Sequence, residues 1–353
     1  MEEAAYEFGS RFNERYSLVA RKIVRMLSEN SRISNTEIAE KLGVTRQAIA
    51  KRLDKLEREF GIDYTLELNE EALGLVHPHI IMVKFEKKPD YKSMKKLFQS
   101  SHIPQFVATV KGGYDLFIYA NSASRSEYAH WDKGTQVLLS EYKASWYPSE
   151  IAYNQFGFFP IRNETIDKLD IDARYKEIIK LLNTDSRASF RGMSKKLDMH
   201  FNVLIYNFKK LLETNYIRRF TIVEKPVMDT VMMYYFAKLT LTDLFERCAA
   251  NARKALIYDD PYPLMSRYSF CSQLIGSGDF FTLGVFDNRK IGYDGGVLYY
   301  KNAMLTQKVK ISYGVIDKVL VGRMPLRSTD NAKEYRVLNW TPETGSGMKP
   351  TRI

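Results

Sequence analysis

The sequence predicts an α+β protein made of two copies of a winged helix-turn-helix followed by a ferredoxin-like βαββαβ domain. Three observations carry that expectation. Residues 34–56 have the apolar spacing and caps of two short helices meeting at a tight turn. Residues 79–147 run strand, helix, two strands, helix, strand, which is the ferredoxin-like order. Both patterns return later in the chain at a nearly constant offset, the mark of an internal repeat.

In SNTEIAEKLGVTRQAIAKRLDKL (34–56), the positions Ile38, Leu42, Val44, Ile49, Leu53 and Leu56 form one seam, with Gly43 at the break. Ser34 with Glu37 three residues on reads as a capping box, and Thr45 is placed to cap the second helix. Upstream, Leu18, Ile23, Met26 and Leu27 recur among charges within residues 11–33, as in an amphipathic helix that completes a three-helix unit. Gly61 is placed to end the second helix, and IDYTLEL (62–68) alternates as one strand of a short hairpin or wing. The expected domain is 11–75.

Next come a strand at 79–85 (HIIMVKF), a helix at 91–100, a hairpin of 105–111 and 114–120 around Gly112-Gly113, a helix over 124–140 and a final strand at 143–147. These make a second domain, 76–155. FGFFPIRNETIDKLD (156–170) breaks the pattern with an aromatic cluster, a proline and polar residues, and is expected to be the main boundary.

Residues 23–34 align with 178–189 at an offset of 155, and the register continues: Ile38 with Met193, Leu42 with Leu197, Val44 with Met199, Ile49 with Leu204, Leu53 with Phe208, Leu56 with Leu211. YIRRFTIV (216–223) takes the wing position and MYYFAKLTL (233–241) that of the first strand. The hairpin turn GGYD (112–115) returns as GSGD (276–279) at an offset of 164, which implies a nine-residue insertion. The second pair of domains is therefore expected at 170–228 and 229–322, with a basic, poorly ordered tail at 323–353.

A formal charge of +11 and an isoelectric point near 9.3 favour a polyanionic partner without naming it. No run approaches the roughly 18 apolar residues that span a bilayer, and the first residues are acidic, so a soluble, cytoplasmic protein with no membrane partner is expected. Cys248 and Cys271 lack metal-ligand spacing and read as buried small hydrophobes. The histidines 77, 79, 102, 130 and 200 include one i, i+2 pair but no converging carboxylate or thiol set, so no metal site, cofactor or catalytic residue is expected.

Taken together, TEIAEKLGVTRQAIAKRLDKLE (36–57), the wing ending in EALG (71–74) and GGYDLFI (112–118) resemble the Lrp/AsnC (feast/famine) family of transcription regulators. The resemblance covers 21–148, and 174–321 look like a second, diverged copy. It implies a DNA-binding domain and a regulatory domain that dimerises through its sheet, giving a homodimer. It also implies a small effector, such as an amino acid, near the Gly-x-Tyr-Asp turn. A chain with two copies could build internally the pair that others make from separate chains.

The candidate DNA-binding residues are Ser34, Thr36 and Thr45 at the helix starts, and Arg46, Gln47, Lys51, Arg52 and Lys55 on the second helix. A helix in the major groove reads bases with its N-terminal residues, so Arg46 and Gln47 are assigned to base edges and Lys51, Arg52 and Lys55 to phosphates. The bland reading of the same residues is a solvated helix face. In the second copy the corresponding helix begins MHFNVLIY (199–206), with no Lys or Arg until Lys209. That apolar head argues for a protein contact or a phosphate-only role rather than base reading, although residues 172–219 carry eleven basic against five acidic side chains. The candidate effector residues are Gly112, Gly113, Tyr114 and Asp115, with Gly276, Gly278 and Asp279 as their second-copy equivalents. The turn N–H groups suit an anion and Asp115 an ammonium, although Gly-Gly is also what a tight hairpin demands.

The leading function is a sequence-specific regulator that binds double-stranded DNA and is not an enzyme. Two alternatives stay open. Siroheme decarboxylases of haem biosynthesis look like the same two-domain plan, and an architectural protein would bind DNA with little sequence preference.

Overall fold

The computed structural model describes residues 18–224, 231–238, 268–286, 289–290, 292–293, 310–324, 337–338 and 350–351. Its first unit is three helices: α1 (Leu18–Glu29), α2 (Asn35–Leu42) and α3 (Arg46–Phe60). The expected helix start before Leu18 lies outside the described residues. Ile23, Leu27, Ile38, Ile49, Leu53 and Leu56 are buried together, with Leu42 and Val44 packed against them, so the apolar seam is the core of the unit. Gly43 has a left-handed φ of 64° at the α2–α3 break, a conformation glycine adopts without the Cβ penalty.

Strand β1 (Ile62–Leu68) follows, then β2 (His79–Phe85), α4 (Tyr91–Gln99), β3 (Pro104–Gly112), β4 (Leu116–Ala120), α5 (Arg125–Leu138) and β5 (Ala144–Phe156). Asp90 and Ser124 cap α4 and α5 by accepting the N–H groups of Ser93 and Glu127. Strand β5 runs nine residues past the expected end at Tyr147, because its second half finds a partner far along the chain.

After α6 (Asn163–Lys168), a second helical unit consists of α7 (Ala173–Thr184), α8 (Phe190–Lys196) and α9 (Phe201–Glu213). Strands β6 (Ile217–Glu224), β7 (Val231–Lys238), β8 (Tyr268–Gly276), β9 (Phe280–Phe286) and β10 (Lys310–Val321) complete the main body. A two-residue pair, β11 (Val337–Leu338) with β12 (Pro350–Thr351), stands apart. Any helices of a second βαββαβ domain between β7 and β8, or between β9 and β10, fall largely outside the described residues.

Two ferredoxin-like domains were expected, with their pairing inside the chain left open, and the structure has one closed eight-stranded barrel, in the order β10-β3-β4-β2-β5-β8-β9-β7. The four strands of the first half keep the order β3-β4-β2-β5, and the other four repeat it as β8-β9-β7-β10. Edge strand β5 pairs with β8 and β10 pairs with β3. Each half alone would leave two edges with unmet backbone groups; joining them edge to edge satisfies both. Alternate residues from both halves fill the interior, among them Phe106, Phe117, Tyr234, Phe270 and Phe281.

The wing also departs from expectation. Strand β1 pairs antiparallel with β6 of the second helical unit, with Thr65 opposite Thr221 near the centre of the register. A lone strand after a helix cannot satisfy its own ladder, and the nearest free strand is the one in the same position of the other unit.

Residues 156–170, expected as the boundary, pack tightly. Phe159 is 1% exposed and stacks on Tyr119 with ring centroids 4.4 Å apart, which seats it in the barrel core. Arg162 is buried and donates to the carbonyls of Ser101 and Pro104 at 2.8 Å and of Phe98 and Gln99 at 3.4 Å, closing the C-terminal end of α4. Arg323, expected to open the tail, belongs to the folded body instead. Arg323 donates to Asn183 O (2.8 Å), Asn183 Oδ1 (2.6 Å) and Thr65 Oγ1 (3.0 Å), and burial pulls its pKa down. Beyond Met324 the expected tail lies outside the described residues, save for β11 and β12.

Candidate nucleic-acid interface

On the first unit, both helix starts are capped as the residue types suggest. Ser34 Oγ accepts Glu37 N–H and Thr45 Oγ1 accepts Ala48 N–H, each at 3.1 Å. The expected capping box is only half made: the Glu37 carboxylate accepts from Lys41 Nζ, at 3.0 Å, rather than from the Ser34 N–H. With Ile49, Leu53 and Leu56 held inward, α3 turns Arg46, Gln47, Lys51 and Lys55 outward, where all four are exposed, and Arg52 is half-buried. Ser34, Thr36 and Thr45 are exposed beside them. All eight candidate residues therefore belong to α2, α3 and their caps, with Arg46 and Gln47 on the first turn of α3.

The second unit repeats this construction with different surface chemistry. Ser189 caps α8 by accepting Gly192 N–H at 3.1 Å, and Asp198, with a φ of 47°, holds the left-handed position that Gly43 holds in the first unit. Met193, Leu204, Phe208 and Leu211 are buried. Phe201, Val203 and Tyr206 are exposed, at 38%, 41% and 61%.

The two units meet through reciprocal contacts. Ser31 and Ser186, 155 residues apart, share a buried hydroxyl–hydroxyl hydrogen bond of 2.5 Å. Arg32 donates to Ser186 O (2.6 Å) and Ala188 O (3.2 Å), while Arg187 donates to Ile33 O (3.4 Å) and Asn35 Oδ1 (2.9 Å). Arg32 lies over the Phe220 ring and Arg187 over the Tyr64 ring. Thr65 donates to Asn183 O and Thr221 donates to Ser28 O, both at 2.9 Å. The Ser31–Ser186 bond, the Arg32–Ala188 and Arg187–Ile33 contacts, and the Thr65–Asn183 and Thr221–Ser28 contacts match in pairs across the repeat, so the two units are related by an approximate two-fold axis through the β1–β6 ribbon.

The candidate effector turns sit where the two halves of the barrel join. Asp115 accepts from Lys84 Nζ (3.1 Å) and Phe85 N–H (2.9 Å), and Asp279 accepts from Lys238 Nζ (3.1 Å). The N–H of Gly113 donates to Tyr313 O at 3.4 Å and that of Tyr114 to Tyr234 Oη at 3.2 Å; Gly278 N–H donates to Ser149 Oγ at 3.0 Å. A Cβ on Gly112 would lie 2.3 Å from Tyr313 O, and one on Gly276 2.8 Å from Pro148 O. In this structure these glycines, Asp115 and Asp279 knit each turn to the last strand of the other half or to a neighbouring lysine.

No group of three or more His, Cys, Asp or Glu able to hold a metal occurs among the described residues, and no helix there is long and apolar enough to cross a membrane. His79 stacks on Tyr128 at 3.6 Å, His102 meets Glu127 at 2.9 Å and His200 caps α9. Burial pushes the Cys271 thiol up to about 12; Cys248 lies outside the described residues.

The residues that the sequence reading missed are those that hold the heads together. Ser31-Arg32 and Ser186-Arg187 are an identical dipeptide at the repeat offset, a signal that was available in the sequence. Nothing local marks Arg162 or Arg323, whose partners are carbonyls and side chains distant in the chain.

Fold and surface together define a class: a protein that carries two three-helix units on one β-barrel, with an exposed basic helix on the first of them. The AsnC-type helix-turn-helix domain matches residues 20–57. An uncharacterised HTH-type transcriptional regulator of Pyrococcus furiosus is 36% identical over 109 residues, 30% of this chain and 72% of the relative. The HTH-type transcriptional regulator LrpA of Pyrococcus horikoshii is 31% identical over 106 residues, 27% of this chain and 75% of LrpA. The chain belongs to the Lrp/AsnC family of HTH-type transcriptional regulators. Over nearly its whole length its fold is similar to that of the siroheme decarboxylase NirDL, with a TM-score of 0.53, 11% identity, and 89% of this chain and 95% of that one covered.

Proposed function

We propose that the chain is a sequence-specific regulator of double-stranded DNA, reading base edges with Arg46 and Gln47 and gripping phosphates with Lys51, Arg52 and Lys55. The carrying observation is the exposure of Arg46 and Gln47 on the first turn of a capped helix whose opposite face is locked into a core. That is the placement from which side chains reach the major groove. The matching order of elements in the two halves supports an internal duplication. Because the barrel closes within one chain, the pairing that the resemblance implies between two subunits is satisfied inside it, and a homodimer would form through other surfaces.

A small effector at Gly112–Asp115 or Gly276–Asp279 belongs to this reading as a regulatory step. To bind, an amino acid would have to displace Lys84 from Asp115 or Lys238 from Asp279. Calorimetric titration with amino acids at millimolar concentration checks it: heat that disappears in Asp115→Asn supports the site, and no heat removes it.

The regulator reading is preferred to a decarboxylase because the relatives that share sequence with this chain are regulators and the basic helix is exposed. Mixing the protein with siroheme and recording a visible spectrum separates the two: a shifted band would favour the enzyme. The direct test of the proposal is Arg46→Ala with Gln47→Ala in the full chain. Specific affinity should fall about a hundredfold or more while weak, salt-sensitive binding persists, on the basis of roughly 1–3 kcal/mol per bidentate pair. Unchanged discrimination between duplexes would overturn it.

A further inference from the structure

We infer that the second head reads an adenine–thymine-rich half-site next to the one read by the first, so that one chain occupies an asymmetric operator. The inference rests on the DNA reading proposed above and revises the protein-contact or phosphate-only role that the apolar sequence of α9 suggested.

The geometry comes first. The reciprocal contacts of Ser31 with Ser186 and of Arg32 and Arg187 with each other's loops relate α9 to α3 by an approximate two-fold axis. DNA has the same kind of symmetry, so a duplex whose major groove receives α3 can present the symmetry-related face of its groove to α9. Phe201, Asn202 and Tyr206 stand 155 residues after Arg46, Gln47 and Lys51, and all six are exposed. The reading positions are therefore presented in both heads, and only their chemistry differs.

That chemistry fits one base pair well. In the major groove thymine offers a 5-methyl group that an aromatic side chain can cover, and adenine offers N7 and N6 to a bidentate amide. Phe201 and Asn202, adjacent on the first turn of α9, supply one of each.

Charge chooses the occupant. Arg191, Lys195 and Lys196 on α8 and Lys209 on α9 are exposed on the same helix pair as the apolar positions, and Asp198 is the single acid between residues 190 and 212. A protein partner would have to be apolar at its centre and acidic all round to cover this face. A duplex offers methyl groups in the groove and phosphates on both rims of it.

The test uses the full chain and a duplex selected with it from a random pool. The expected site is not a palindrome: it has two unlike half-sites about one helical turn apart, the second rich in A·T, and native mass spectrometry finds one chain per duplex. Replacing thymine by deoxyuridine in the second half-site removes only methyl groups, and should weaken wild-type binding several-fold while leaving Phe201→Ala unaffected. Phe201→Ala with Asn202→Ala should lose about tenfold or more on the selected duplex and lose the A·T preference there, with helix content by circular dichroism unchanged.

A palindromic site bound by two chains would overturn the inference, as would equal affinity for the thymine and deoxyuridine duplexes. If Arg46→Ala with Gln47→Ala abolishes discrimination while the second-head variants and the deoxyuridine duplex change nothing, this inference alone fails. If no duplex is enriched, or the first-head variants bind as wild type, the underlying DNA reading fails with it.

Discussion

At the scale of single residues, the molecule depends on a few polar side chains that reach across the chain. Arg162 is buried, holds four carbonyls at and just after the end of α4, and lies 3.4 Å from the Glu164 carboxylate. Arg162→Met keeps the stem but leaves those carbonyls without their donor. Urea unfolding should show a loss of about 3 kcal/mol, and a loss below about 1 kcal/mol would mean that other donors replace it.

Glu70, at the end of the wing, accepts from Tyr119 Oη (2.7 Å) and Asn121 Nδ2 (2.6 Å), and burial raises its pKa to about 7. A carboxyl group with a folded pKa above its unfolded value stabilises the fold fully below about 4.5, and that contribution is lost as pH rises through about 7. Stability measured from pH 4.5 to 8 should therefore contain a decline of about 3 kcal/mol that Glu70→Gln flattens. An identical profile in the variant would show that Glu70 stays ionised.

At the scale of elements, the helices were legible because their apolar seams have a local period: 35–42, 46–60, 91–99 and 125–138 each lie within a residue or two of expectation. The partners of the strands were not. IDYTLEL reads as a strand whichever strand it pairs with, and its mate, IRRFTIVE, lies more than 150 residues away. Likewise the exposed basic face of α3 could be read from spacing, whereas the seam between the turns and the far strands could not. Its clearest marks are glycines: Gly112, at a φ of 143°, packs against the Tyr313 carbonyl, and Gly314 against that of Lys111. Gly112→Ala adds a Cβ into backbone at a conformation that side chains rarely adopt, so the β3–β10 seam should open at a cost of about 3 kcal/mol or more. Faster hydrogen exchange across β3 and β10 than across the β2–β4 ladder checks this, and uniform exchange would contradict it.

At the scale of the whole molecule, barrel closure within one chain and the reciprocal contacts of the two helical units predict folding that needs no second subunit. The thermal midpoint should not change over a hundredfold dilution, whereas an obligate dimer would melt earlier when dilute. On the proposed function, the formal charge of +11 would supply the sequence-independent part of DNA affinity and the exposed first-turn side chains of the reading helices the discrimination. The most direct measurement is therefore equilibrium binding of the full chain to a duplex enriched from a random pool and to the same duplex scrambled, at two salt concentrations. Both affinities should fall as salt rises, with the enriched duplex held at least about a thousandfold more tightly at the higher salt. Equal affinity for the two duplexes at both concentrations would contradict sequence-specific reading and identify an architectural DNA-binding protein instead.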